Sequence, residues 1–139
     1  MCEVINLDRF RQRKSGLSRA QLNNQLTDAG VDLFRLGDAE AAIAQWQSVI
    51  KGDPGHAEAN YNLGYAYQHA RDFHRAVEFF RRALTTDDRF ADAHYNIAIS
   101  YDATGEQDLA REHFLKFIAR SRSDDAYVCV AREYVANMG

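Results

Sequence analysis

The stretch AEANYNLGYAYQHARDFHRAVEFFRRAL, Ala57–Leu84, is followed by a weaker copy of itself, ADAHYNIAISYDATGEQDLAREHFLKFI, beginning at Ala91. The offset is 34 residues. With Ala57 set on Ala91, Leu63 falls on Ile97, Gly64 on Ala98, Tyr67 on Tyr101, Ala76 on Ala110, Phe80 on Phe114 and Ala83 on Phe117. One period back, Ala29, Gly30, Leu33, Gly37, Ala42, Trp46, Val49 and Pro54 occupy the same frame. Three ungapped units result, 23–56, 57–90 and 91–124. Self-similarity at this period marks a stack of identical supersecondary units, each unable to bury its apolar face alone.

Each unit reads as two short helices, because apolar residues recur at spacings of three and four in both halves. The halves break at RLGD (35–38), HARD (69–72) and ATGE (103–106). Gly37 and Gly105 suit a helix C-terminus, where a left-handed backbone costs glycine nothing. Between units stand GDPG (52–55) and Asp87-Asp88. Their acids suit either the end of one helix or the start of the next. Gly30, Gly64 and Ala98 are the small residues where the first helix meets its partner, and Ala42, Ala76 and Ala110 face them from the second. Trp46, Phe80 and Phe114 fill the remaining space. A close-packed interior penalises any change of these volumes. One proline, sparse β-branched residues and frequent alanine favour helix over strand.

The pattern resembles the tetratricopeptide repeat, a 34-residue helix–turn–helix with Leu, Gly, Tyr, Ala, Phe, Ala and Pro in fixed order. Unit two supplies Leu63, Gly64, Tyr67, Ala76, Phe80 and Ala83, with Asp88 at the family's Pro and Asn60 at its large first residue. Unit one has Pro54 but Leu33 for the Tyr, and unit three has Ala98 for the Gly and Phe117 for the last Ala. The resemblance implies an all-α fold, a right-handed superhelical solenoid, in which residues 17–139 form a single domain preceded by an arm, 1–16.

A stack of hairpins exposes an apolar face at its last unit unless something covers it. Residues 125–138 read as that capping helix, started by Asp124 or Ser123. Tyr127, Val130, Ala131, Tyr134 and Met138 form its core-facing stripe. Val128 and Val135 fall off that stripe, where they would serve a contact with a second copy. At the other end, residues 1–22 carry Arg9, Arg11, Arg13, Lys14 and Arg19 against Glu3 and Asp8. A basic arm at +3 thus precedes a body at −6, for a net charge of −3. Its VINLDRFRQRK (4–14) mixes large apolar side chains with the charges. Either it trails as a tail or it docks in its own groove, a neighbour's groove or a partner.

No Gly-rich phosphate loop, HExxH, GxSxG or paired Cys/His motif is present. The five histidines, His56, His69, His74, His94 and His113, form no helical i, i+4 pair and read as surface or packing residues. The expectation is therefore not an enzyme, with no cofactor and no metal. Cys2 and Cys129 show no disulfide or zinc spacing, so a reducing, cytoplasmic setting is the simpler reading. No apolar run approaches the roughly 20 residues needed to span a bilayer, so no membrane insertion is expected. The acidic body argues against nucleic acid, whose phosphates demand a basic surface.

The resemblance places function on a concave surface lined by the first helix of each unit, where family members bind peptides. The inner positions are then Asn24, Thr27, Val31, Phe34 and Arg35 in unit one. They are Glu58, Tyr61, Asn62, Tyr65, Gln68 and His69 in unit two, and Asp92, Tyr95, Asn96, Ile99 and Asp102 in unit three. The candidate peptide site is Val31, Phe34, Glu58, Tyr61, Asn62, Tyr65, His69, Asp92, Tyr95, Asn96 and Ile99. Tyrosine offers large contact area at low entropy cost. Asn62 and Asn96 repeat in phase, and an amide can pair with a peptide backbone whatever its sequence. In family members that clamp a C-terminal carboxylate, the cations would fall on Thr27, Tyr95 and Ile99, and only Asn62 matches. The groove is expected to prefer an apolar segment with basic residues that meet Glu58, Asp92 and Asp102. The function so read is a protein-interaction adaptor or scaffold for a protein or peptide partner. The alternatives are a small secretion-type chaperone for an aggregation-prone client, or a homo-oligomeric scaffold that uses its own arm.

Overall fold

The computed structural model describes residues 16–88 and 90–137. The expectations for the arm at 4–14, and for Met138, fall outside these residues. Among the described residues seven helices follow one another: α1 Arg19–Arg35, α2 Ala39–Gly52, α3 Ala57–His69, α4 Phe73–Thr86, α5 Ala91–Ala103, α6 Gln107–Arg120 and α7 Ala126–Asn137. No strand occurs among the described residues. Pairs α1–α2, α3–α4 and α5–α6 form three stacked hairpins, and α7 packs on α6. The fold is an all-α helical-repeat solenoid.

Local chemistry sets the helix ends. Ser18 starts α1 with a reciprocal cap: its Oγ accepts from the Gln21 amide at 3.2 Å, and Gln21 Oε1 accepts from the Ser18 amide at 2.9 Å. Asp38 and Asp72 cap α2 and α4. Asp53 and Asp87 close helices rather than open them, their amides donating to Val49 and Ala83. The turns within hairpins need one left-handed residue each. Gly37 and Gly105 take it at φ 88° and 81°, and Arg71 takes the same place in the second hairpin at φ 61°.

The small residues do what their spacing implies. A Cβ on Gly64 would lie 2.7 Å from the Phe80 ring, and one on Gly30 would lie 2.3 Å from Trp46 Nε1. The aromatic ring of the second helix therefore rests directly on the backbone of the first. Trp46 also donates to the Thr27 carbonyl at 3.0 Å. Two apolar cores result. One joins Ala42, Trp46, Leu63 and Ala66. The larger runs from Ala76 and Phe80 through Ile97, Phe114 and Phe117 to Val128 and Ala131.

The end helix packs on a stripe that matches the expected one only in part: Ala131 and Tyr134 face the core as expected, and the Tyr134 ring lies 4.5 Å from that of Phe114, but Tyr127 and Val130 do not complete it. Val128 and Ala131 are fully buried and Val135 lies against them, whereas Tyr127 is 60% and Val130 50% exposed. Two stripes at helical spacing cross at Ala131, so periodicity alone does not choose between them. The compact Val128 is the side chain the core admits. Val128 and Val135 are therefore part of the fold and not a free contact face. The helix is started by Asp125, whose carboxylate accepts from the Tyr127 amide at 2.8 Å, and not by Asp124 or Ser123.

Candidate functional site

The first helices touch one another along the stack, α1 with α3 and α3 with α5. They form the tighter, inner side of the solenoid. Two clefts lie along it. The first, about 430 Å³, is lined by Val31, Phe34 and Arg35 of α1, Trp46 of α2, and Tyr61, Asn62 and Tyr65 of α3. The second, about 210 Å³, is lined by Tyr61, Tyr65, Asp92, Tyr95, Asn96, Phe117 and Tyr127. Tyr61 and Tyr65 belong to both, so the clefts are two compartments of one groove.

Of the residues expected to form the site, Val31, Phe34, Tyr61, Asn62, Tyr65, Asp92, Tyr95 and Asn96 are brought together in these clefts. Glu58, His69 and Ile99 line neither. His69 leans on the rim, with its ring 4.5 Å from that of Tyr65 and 5.7 Å from that of Phe34. Ile99 packs against the larger core. Thr27, expected at an inner exposed position, is fully buried, its hydroxyl donating to the Asn23 carbonyl at 2.7 Å. Trp46, Phe117 and Tyr127 are lining residues that the first-helix rule does not supply. They arrive from α2, α6 and α7.

The repeated asparagines have diverged in use. Asn96 donates to the Tyr61 hydroxyl at 2.8 Å and to the Asp92 carbonyl at 3.1 Å, so its amide is engaged internally. Asn62 Nδ2 is buried with no hydrogen-bond partner among the described residues. Gln68 ties the second and third units, donating to the Asn96 carbonyl at 3.0 Å and the Ser100 hydroxyl at 3.1 Å. Asp102 accepts from the Tyr134 hydroxyl of α7. Burial, reinforced by Asp92, pushes the Tyr61 phenol up to about 12. Burial and the neighbouring Tyr127 also raise that of Tyr95.

A larger cleft of about 510 Å³ lies between α4 and the α5–α6 turn. On its walls Glu78 pairs with Arg82 at 2.6 Å, and Arg81 donates to the Tyr101 hydroxyl. Among the described residues no group of His, Cys, Asp or Glu is placed to hold a metal ion. No helix there is long and apolar enough to cross a membrane. Two histidines are buried as a pair that their separation in sequence conceals: His94 and His113 bring their Nδ1 atoms to 3.2 Å. Burial lowers both pKa values, that of His113 to about 4.

An all-α solenoid of helical hairpins with an aromatic inner groove defines a protein-interaction module. The family is the tetratricopeptide repeat, whose pattern matches residues 27–89 and 70–126, and the chain belongs to it. No curated protein matches the sequence. Among solved structures, MamA shares 26% identity at a TM-score of 0.74, over 83% of this chain and 65% of MamA. The chain thus spans about two thirds of the length of MamA. The N-terminal domain of stress-induced protein-1 from C. elegans is 19% identical at a TM-score of 0.73, over 85% of this chain and 98% of that domain. The first such domain of Spaghetti (RPAP3), solved with the HSP90 peptide SRMEEVD, is 16% identical at 0.75, over 84% and 92%. These last two likenesses concern the fold. Tetratricopeptide repeats are protein–protein interaction modules, and the repeat itself is in general non-catalytic.

Proposed function

We propose that this protein is an adaptor that binds an extended or helical peptide segment of a partner protein in the groove of α1, α3 and α5. The observation that carries the reading is the cleft of about 430 Å³ floored by Val31, Phe34, Trp46 and Tyr65, with Asn62 in its wall. An apolar side chain of the partner fills that cleft, and Tyr65, 39% exposed, offers its ring and hydroxyl beside it. The partner differs in chemistry from the acidic HSP90 peptide held by the Spaghetti domain. The positions expected to supply cations hold Thr27, Tyr95 and Ile99, and Thr27 is buried.

The test is capture from native lysate with the full-length chain and with a variant combining Tyr65→Glu and Asn62→Ala, its fold checked by circular dichroism. Asn62 is the appropriate asparagine because Asn96 is tied to Tyr61. A partner retained by the parent chain and lost by the variant supports the groove. Identical partners on both place function on another surface and refute the reading.

A further inference from the structure

We infer that the second cleft is a cage for a cation, taking the ammonium or guanidinium of a lysine or arginine carried by the bound segment of another protein. The inference rests on the groove reading and adds the charge that the groove selects. Four tyrosines, Tyr61, Tyr65, Tyr95 and Tyr127, line a space of about 210 Å³ together with Phe117 and Asn96. That volume suits the head of one side chain and not a length of backbone. Aromatic faces carry negative potential and attract a cation placed over them. The rings are held at angles to one another and not stacked shut: Tyr95 meets Tyr127 at 5.3 Å and 69°, and Phe117 at 5.1 Å and 59°.

Asp92 supplies the matching carboxylate. It lines the cage, is exposed, and has no ion-pair partner among the described residues. Arg120 and Arg122 line a neighbouring cleft with Asp92, and each has an ion-pair partner of its own. Arg120 pairs with Asp88 at 3.2 Å and Arg122 with Asp124 at 3.6 Å. Asp92 therefore stands beside four tyrosine rings without an ion pair of its own among the described residues. Such a site rejects a carboxylate and gives a neutral alkyl chain nothing beyond burial. Tyr127 completes the cage only because α7 packs through Val128, which turns its neighbour toward Tyr95.

The experiment uses the full-length chain carrying ¹³C-labelled tyrosine, observed by NMR. The probes are acetyl-Leu-Lys-Leu-amide, its norleucine isostere, and its glutamate counterpart. The lysine peptide is expected to bind about tenfold more tightly than the norleucine peptide, to shift the Tyr95 and Tyr127 resonances, and to weaken with salt. Asp92→Asn and Tyr127→Leu, both at exposed positions, are expected to bring the preference within about twofold, with the fold checked by circular dichroism. Equal binding of the lysine and norleucine peptides, with shifts confined to the first cleft, overturns the cage and leaves the groove reading standing. Absence of shifts at Tyr95 and Tyr127 with every probe also overturns the cage, while the groove reading is decided by the capture experiment. If glutamine at Arg9, Arg11, Arg13 and Lys14 raises the lysine-peptide affinity severalfold, the occupant is the chain's own arm, and the inference of an external segment falls.

Discussion

Mild acid should loosen the third repeat, and the buried histidine pair sets the size of the effect. His94 and His113 face each other through Nδ1 atoms 3.2 Å apart, an arrangement in which one nitrogen donates and the other accepts. Both rings are buried, and the charges around them are mixed. His94 sees Arg120, Lys116 and Asp88, and His113 sees Lys116, Glu112 and Arg81. Burial is the largest influence and brings His113 to about 4. An unfolded histidine titrates near 6.5. Between pH 4 and 6.5 the unfolded chain thus holds more protons than the folded one. Stability is fully present above about 6.5 and falls as the pH drops toward 4. Each pH unit inside that window costs about 1.4 kcal/mol. At pH 5 His113 alone removes roughly 2 kcal/mol, and His94 adds a loss of the same sign. That is a large fraction of a typical domain's stability of about 5–15 kcal/mol.

Urea unfolding followed by circular dichroism at pH 7.5, 6 and 5 measures this loss directly. Carboxylates contribute acid sensitivity of their own, so a reference variant is needed. The repeat provides one: the second unit holds Asn60 and Phe79 where the third holds His94 and His113. The double variant His94→Asn with His113→Phe should lose roughly 2 kcal/mol less than the parent between pH 7.5 and pH 5. Equal losses in parent and variant would refute the assignment of the acid response to this pair.

Two further outcomes test the packing. Arg71 occupies a left-handed position that glycine fills in the other two hairpins. Arg71→Gly is expected to stabilise the chain by about 1 kcal/mol, read as a rise in urea midpoint; a fall would show that the side chain matters more than the backbone. Val128→Ala should cost about 1–3 kcal/mol, whereas Val130→Ala should stay within about 0.5 kcal/mol. The reverse order would restore the stripe through Val130 as the buried one.

The hairpins were legible because their constraint repeats. Gly30, Gly64 and Ala98 recur every 34 residues opposite Trp46, Phe80 and Phe114, so each unit corroborates the others. The end helix has no second copy to corroborate it. Its two stripes share Ala131, and only docking on α6 distinguishes Val128 from Val130. The groove was legible in part. Val31, Phe34, Tyr61, Asn62, Tyr65, Asp92, Tyr95 and Asn96 were reached from their place on first helices. Trp46, Phe117 and Tyr127 come from helices on which that rule is silent. Asn62 and Asn96 look alike in sequence, and only the position of the Tyr61 hydroxyl, which Asn96 reaches, separates their use. The pairing of His94 with His113 joins positions 19 residues apart, beyond any helical spacing.

The division of the interior into two cores has a consequence for motion. The first holds four fully packed residues and the second eleven, and Tyr67 is a half-buried residue common to both borders. In a linear array, each seam opens at its own free energy. The thinner seam, between the first and second hairpins, is the one expected to part first, giving faster amide exchange in α1 and α2 than in α5 and α6. The apolar compartment is built across that seam, and the tyrosine compartment lies beyond it. The groove is thus expected to have one wall that breathes and one that stands still. Under the proposed function, a long ligand would be held at the firm end while the other closes over it.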